Sequence, residues 1–134
     1  MGTPSQQNTS KRTKWVVVIL TVLVVLAFVP SAILKLIHHP TALEGFTRMG
    51  IPPSAILPIG IVELCCLLLY LMPRTVVLGT LLLTGYLGGA ILANIIGGND
   101  FIHALVVGLF VWTAAWLRVP ELQRLLPIRK SDEA

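Results

Sequence analysis

Residues 53–93 read PSAILPIGIVELCCLLLYLMPRTVVLGTLLLTGYLGGAILA. Two apolar runs flank a tight turn at Met72, Pro73 and Arg74. Each run is about the ~20 residues that a helix needs to cross ~30 Å of hydrocarbon. One acid, Glu63, interrupts the first run, and a glycine seam, Gly85-Tyr86-Leu87-Gly88-Gly89, interrupts the second. An acid at the centre of a span costs about 2.5–3.5 kcal/mol on insertion scales. Glu63 therefore calls for a partner or a function.

The rest of the chain fits that opening. Of 134 residues, 55% are apolar and 12% charged, against about 25% charged in a soluble domain. Mean hydropathy is +0.86. The length suits one domain. A net charge of +4 could suggest a nucleic-acid partner. The basic residues flank apolar runs instead of forming a stripe, which marks them as topology signals and argues against nucleic acid. Cys65 and Cys66 are adjacent, which suits neither a disulfide framework nor a metal site and suits two small buried apolar residues. His38 and His39 alone do not make a metal site either.

Taken in order, residues 1–14 form a polar, basic, disordered tail with Lys11, Arg12 and Lys14 at its end. The first span is predicted over 15–37, with a kink at Pro30 and with Lys35 near its far end, snorkelling to the headgroups. A short interfacial helix follows in the loop, ended by Gly50. The second span covers 53–72, the third 75–96 and the fourth 101–117. Trp112 and Trp116 stand near the far end of the fourth, where tryptophan favours the interface. Residues 118–134 form an amphipathic tail lying on the membrane, with Leu122, Leu125 and Leu126 on one face.

Four spans put both termini on one side. Lys11, Arg12, Lys14, Arg74, Arg118, Arg124, Arg129 and Lys130 share that side, and Lys35 and Arg48 fall on the other. The positive-inside rule makes the shared side cytoplasmic. The fold class is thus an all-α membrane protein, a four-transmembrane-helix bundle with both termini cytoplasmic.

Depth follows from 1.5 Å of rise per residue. Glu63 and Tyr86 lie near mid-membrane, while Lys35, Asn94 and His103 lie in the outer half. These five are the ligand-binding or proton-carrying candidates, arranged as an outward-facing polar pocket floored by Glu63. A Glu63–Lys35 ion pair is not expected, because their levels differ by roughly 13 Å on straight helices. Tyr86 is the expected hydrogen-bond partner of Glu63. Two roles compete for Glu63: a neutral acid bridging helices through a hydrogen bond, and a proton-carrying or ligand-binding group. Gly85, Gly88 and Gly89 are expected to let another helix approach closely.

Several segments together resemble the DoxX-like family. They are Ser31 to Leu36, Phe46 with Met49-Gly50-Ile51-Pro52, Gly60-Ile61-Val62-Glu63-Leu64, Met72-Pro73-Arg74-Thr75, Leu83-Thr84-Gly85-Tyr86-Leu87-Gly88-Gly89-Ala90 and Trp116-Leu117-Arg118. The resemblance spans about residues 31–127. It implies a small four-helix bundle in a bacterial inner membrane. The wider superfamily takes its name from membrane subunits associated with a thiosulfate:quinone oxidoreductase, and most members have no assigned activity. Glu63, Arg74 and the glycine seam are family-pattern positions, and where members often carry His this chain has Asn94. The function expected first is an accessory or assembly subunit linked to a quinone-associated redox system, with a membrane partner or a second copy. The alternative is a binder or carrier of a small molecule, lipid or quinone. No cofactor is predicted apart from that quinone. A stand-alone enzyme is not expected, because no Rossmann glycine motif, CxxC or nucleophile elbow is present.

Overall fold

Helix α1 begins at Pro4, well before the apolar run, and continues to Leu36 through Pro30. The computed structural model describes residues 4–126, with side chains from residue 11. Residues 4–14, predicted as a disordered tail, are therefore helical. The basic stretch extends a long apolar helix whose first turns are already nucleated, and propagation costs far less than nucleation. Residues 1–3 and 127–134, with Arg129 and Lys130, lie outside the described residues.

Helix α2 (Pro40–Arg48) follows, then a 3-10 turn (Pro53–Ala55) that leads into α3 (Ile56–Leu71). The chain goes on through α4 (Val76–Ile96), α5 (Ile102–Arg118) and α6 (Pro120–Leu125). No strand occurs among the described residues. Residues Lys11–Leu36, Pro53–Leu71 and Val76–Ile96 form helices long and apolar enough to cross a membrane, and α5 is apolar but shorter. Large apolar side chains stay exposed along the outside, among them Leu26, Leu68, Leu81, Leu92 and Leu109. An apolar belt of that extent suits hydrocarbon and not water.

The four long helices stand in a square. α1 packs on α3 and α5, and α4 packs on the same two, so α1 faces α4 across a diagonal. Val24, Phe28, Leu67, Tyr70, Leu83 and Val111 fill the centre. Cys66 joins this core, whereas Cys65, expected to be buried with it, is exposed. Neighbouring helix residues point about 100° apart, so one cannot follow the other inward.

The two ends of the bundle are closed differently. At the α2 end the helices stop in left-handed caps. His38 (φ 53°) closes α1, with His39 N–H reaching Leu34 O and His38 N–H reaching Lys35 O. Gly50 and Gly98 repeat the motif at the ends of α2 and α4. This pairing satisfies carbonyls that a helix end otherwise leaves bare. At the α6 end Arg118 donates to the carbonyls of Tyr70 and Leu71 at 3.3 and 3.4 Å, and its guanidinium lies 5.4 Å from the Tyr70 ring. That clamp ties the end of α5 to the end of α3. On α6, Leu122 is buried while Leu125 is 79% exposed, so the leucine face splits between the bundle and its surroundings.

The glycine seam behaves otherwise than predicted. The tight helix contact lies at Gly79, where a Cβ would overlap the backbone of Leu69 and Tyr70. At Gly85, Gly88 and Gly89 a Cβ would meet nothing within 4 Å. Among the described residues these three pack against no other helix. α4 and α3 touch closely near their hairpin, and by Gly85 the space beside α4 is open.

Candidate functional site

Lys35 is the hub of the site. It stands one residue before the end of α1, and its side chain turns back along the helix, as helical side chains tilt toward the N-terminus. The ammonium donates to Ser31 Oγ at 2.7 Å, Glu63 Oε2 at 2.6 Å and Tyr86 Oη at 2.8 Å. All three ammonium protons thus have acceptors. Lys35 is 11% exposed and Glu63 2%.

The ion pair that straight-helix bookkeeping ruled out is therefore formed. Three features close the gap. α3 starts only at Ile56, so Glu63 is just two turns inside it. Gly60 lies against Lys35, where a Cβ would sit 3.0 Å from Lys35 Cβ, so the two helices are in register one turn above Glu63. The backward tilt of the lysine side chain then spans that turn. Lys35 also stands between Glu63 and Tyr86, the pair expected to bond to each other, and both oxygens accept from it. Glu63 thus bridges α3 to α1 through Lys35. The Phe28 ring packs on Tyr86 at a centroid distance of 6.1 Å and holds it toward α1 across the diagonal.

The cluster forms part of the wall of a cavity of about 730 Å³ at the α2 end. Helix α2 covers it with Ala42 and Phe46, and Met49 just after the helix adds to the cover. Lys35, Glu63, Tyr86, Asn94 and His103, the five candidates from sequence, all line this one space. His103 is exposed at its rim. Asn94 is 8% exposed; its Nδ2 donates to Ala90 O at 2.9 Å, and its Oδ1 has no partner among the described residues. Gly85 and Gly89 line the same cavity. Arg74, the topology marker, is exposed in the α3–α4 turn, far along the chain from the cluster.

A family model described as the DoxX-like family matches residues 19–117. The chain belongs to the DoxX-like family. No curated protein and no solved structure matches it. In this DoxX-like membrane protein the matched segment holds every residue of the cluster and every residue lining the cavity.

Sequence reasoning missed Ser31, Phe28 and Gly60. Ser31 was legible, since it stands four residues before Lys35, where a backward-tilted side chain meets it. Gly60 carried a weaker sign, a lone glycine one turn before a buried acid. Phe28 gave none, because nothing local distinguishes it from the other apolar residues of α1. Chemically, the cluster joins a fixed cation to a fixed anion, with net charge near zero. Lys35, Glu63 and Tyr86 all line the cavity, with Asn94 on the same wall. No group of three or more His, Cys, Asp or Glu side chains is placed to hold a metal among the described residues.

Proposed function

We propose that this protein is a four-span inner-membrane bundle, with both termini cytoplasmic, that binds a small molecule or lipid in the cavity at its α2 end. The observation that carries the binding reading is an ion pair with Glu63 only 2% exposed, set in the wall of a cavity of about 730 Å³. Ionisable groups inside a membrane are expensive and are mostly kept for a function, and the volume falls in the usual 300–1,000 Å³ range of ligand sites. The orientation draws on charge: Lys11, Arg12, Lys14, Arg74, Arg118 and Arg124 belong to the α6 end, Lys35 and Arg48 to the other. In this topology the cavity faces outward, and a quinone is one ligand it would take.

A second reading, an accessory subunit of a membrane redox system, draws on a different observation. Gly85, Gly88 and Gly89 leave a smooth exposed flank on α4 that meets no other helix among the described residues. Small residues of this kind let a neighbouring span approach closely.

Thermal unfolding in mild detergent separates the two. Wild-type protein titrated with a short-chain quinone or with extracted membrane lipid is expected to gain stability, by about 2.7 kcal/mol at a hundredfold excess over Kd. Glu63→Gln should lose that gain. Equal stabilisation of both proteins would count against a ligand held by Glu63. A subunit would instead co-purify with a partner, and Glu63→Gln would leave the complex intact.

A further inference from the structure

The cavity is open on its flank as well as at the α2 end. Gly85 and Gly89 line it, yet each stands two residues, about 200° of helix, from the buried Leu87 on the core side of α4. Both glycines are exposed. The cavity therefore reaches around the flank of α4 and out of the bundle. This mouth sits near the middle of the 21-residue α4, with Leu82 and Leu92 exposed above and below it. Ile59 of α3 lines the cavity opposite. An opening at that height, set in exposed leucine, faces hydrocarbon.

We infer that the ligand is an uncharged amphiphile, its polar head on the Lys35–Glu63–Tyr86 cluster and its apolar chain leaving through the Gly85–Gly89 mouth into the bilayer. This rests on the binding reading above. The head is uncharged because lysine and glutamate already neutralise each other, so a charged head would leave one charge unmatched beside a pair only 11% and 2% exposed. The head carries hydrogen-bonding groups because Lys35, Glu63, Tyr86 and Asn94 all line the cavity, and the Asn94 side chain spends only its Nδ2 on Ala90 O. The chain leaves at this mouth because a Cβ at either glycine would meet nothing within 4 Å, so no side chain closes it there.

The test uses the full chain in phospholipid vesicles with two photoactivatable fatty alcohols. One is short, with the diazirine beside the hydroxyl; the other is long, with the diazirine at the chain end. The short probe is expected to label the cavity wall near Glu63, and the long one the rim and outer face of α4. Gly89→Leu should cut labelling by the long probe at least tenfold and leave the short probe unchanged. Gly88→Leu, on the exposed flank but off the cavity wall, should change neither. The unfolding midpoint of each variant shows that it is folded, and Gly85→Leu supplies a second plug. Chain-end labelling at Thr41 and His103 instead, or equal loss in Gly88→Leu and Gly89→Leu, overturns the lateral mouth while leaving a bound ligand. If neither probe labels the cavity, the binding reading itself fails.

Discussion

Replacing Lys35 with methionine is expected to destabilise the folded bundle by about 3–5 kcal/mol, the usual cost of leaving one partner of a buried ion pair alone. Glu63 would stay 2% exposed with nothing to neutralise it, and Ser31 and Tyr86 would lose their common donor. Glu63→Gln should cost less, since its amide still accepts from Lys35 and the lysine is the more exposed partner at 11%. The double variant Lys35→Met/Glu63→Leu should recover most of the loss, because well-packed apolar groups commonly replace a buried pair at no net cost. The unfolding midpoints of the wild type, Lys35→Met, Glu63→Leu and Lys35→Met/Glu63→Leu in one detergent form a double-mutant cycle. A coupling energy near zero would mean that the pair is not formed in solution.

The second large effect separates glycines that look alike in the sequence. Gly79→Ala is expected to cost about 3 kcal/mol, at the upper end of overpacking penalties, because the new methyl would meet the backbone of Leu69 and Tyr70. Backbone cannot rotate away as a side chain can. Gly85→Ala and Gly89→Ala should be neutral or stabilising by up to about 1 kcal/mol, the helix-propensity gain of alanine over glycine, since their methyls enter open space. Unfolding midpoints check both halves. A loss at Gly85 or Gly89 as large as that at Gly79 would restore the seam as a packing surface.

The two effects show what was legible in the sequence. Long apolar runs, the turn at Pro73 and the caps at Gly50 and Gly98 depend on local chemistry, and local chemistry is written in the chain. So is the gathering of polar side chains toward one end, because depth follows from counting along a helix. The register between helices is not written in that way. Whether Lys35 reaches Glu63 depends on Gly60 letting α3 approach α1, and on the extra turn at Pro53–Ala55 that shifts where α3 begins. Glycine function is likewise decided by the partner. Gly79 and Gly85 are both helical glycines of α4, but six residues of helix turn them about 120° apart, so one meets α3 and the other looks outward. The helical start at Pro4 was missed because composition favoured a tail while the helix behind it favoured continuation.

Native mass spectrometry of two proteins released from the same membranes in mild detergent, the wild type and Lys35→Met/Glu63→Leu, puts the ligand-binding cluster to the most direct test. The wild type should retain a small uncharged amphiphile, and the folded double variant should be empty. Equal retention by both, or no retained molecule in the wild type, would contradict a cavity that holds its ligand through Lys35 and Glu63.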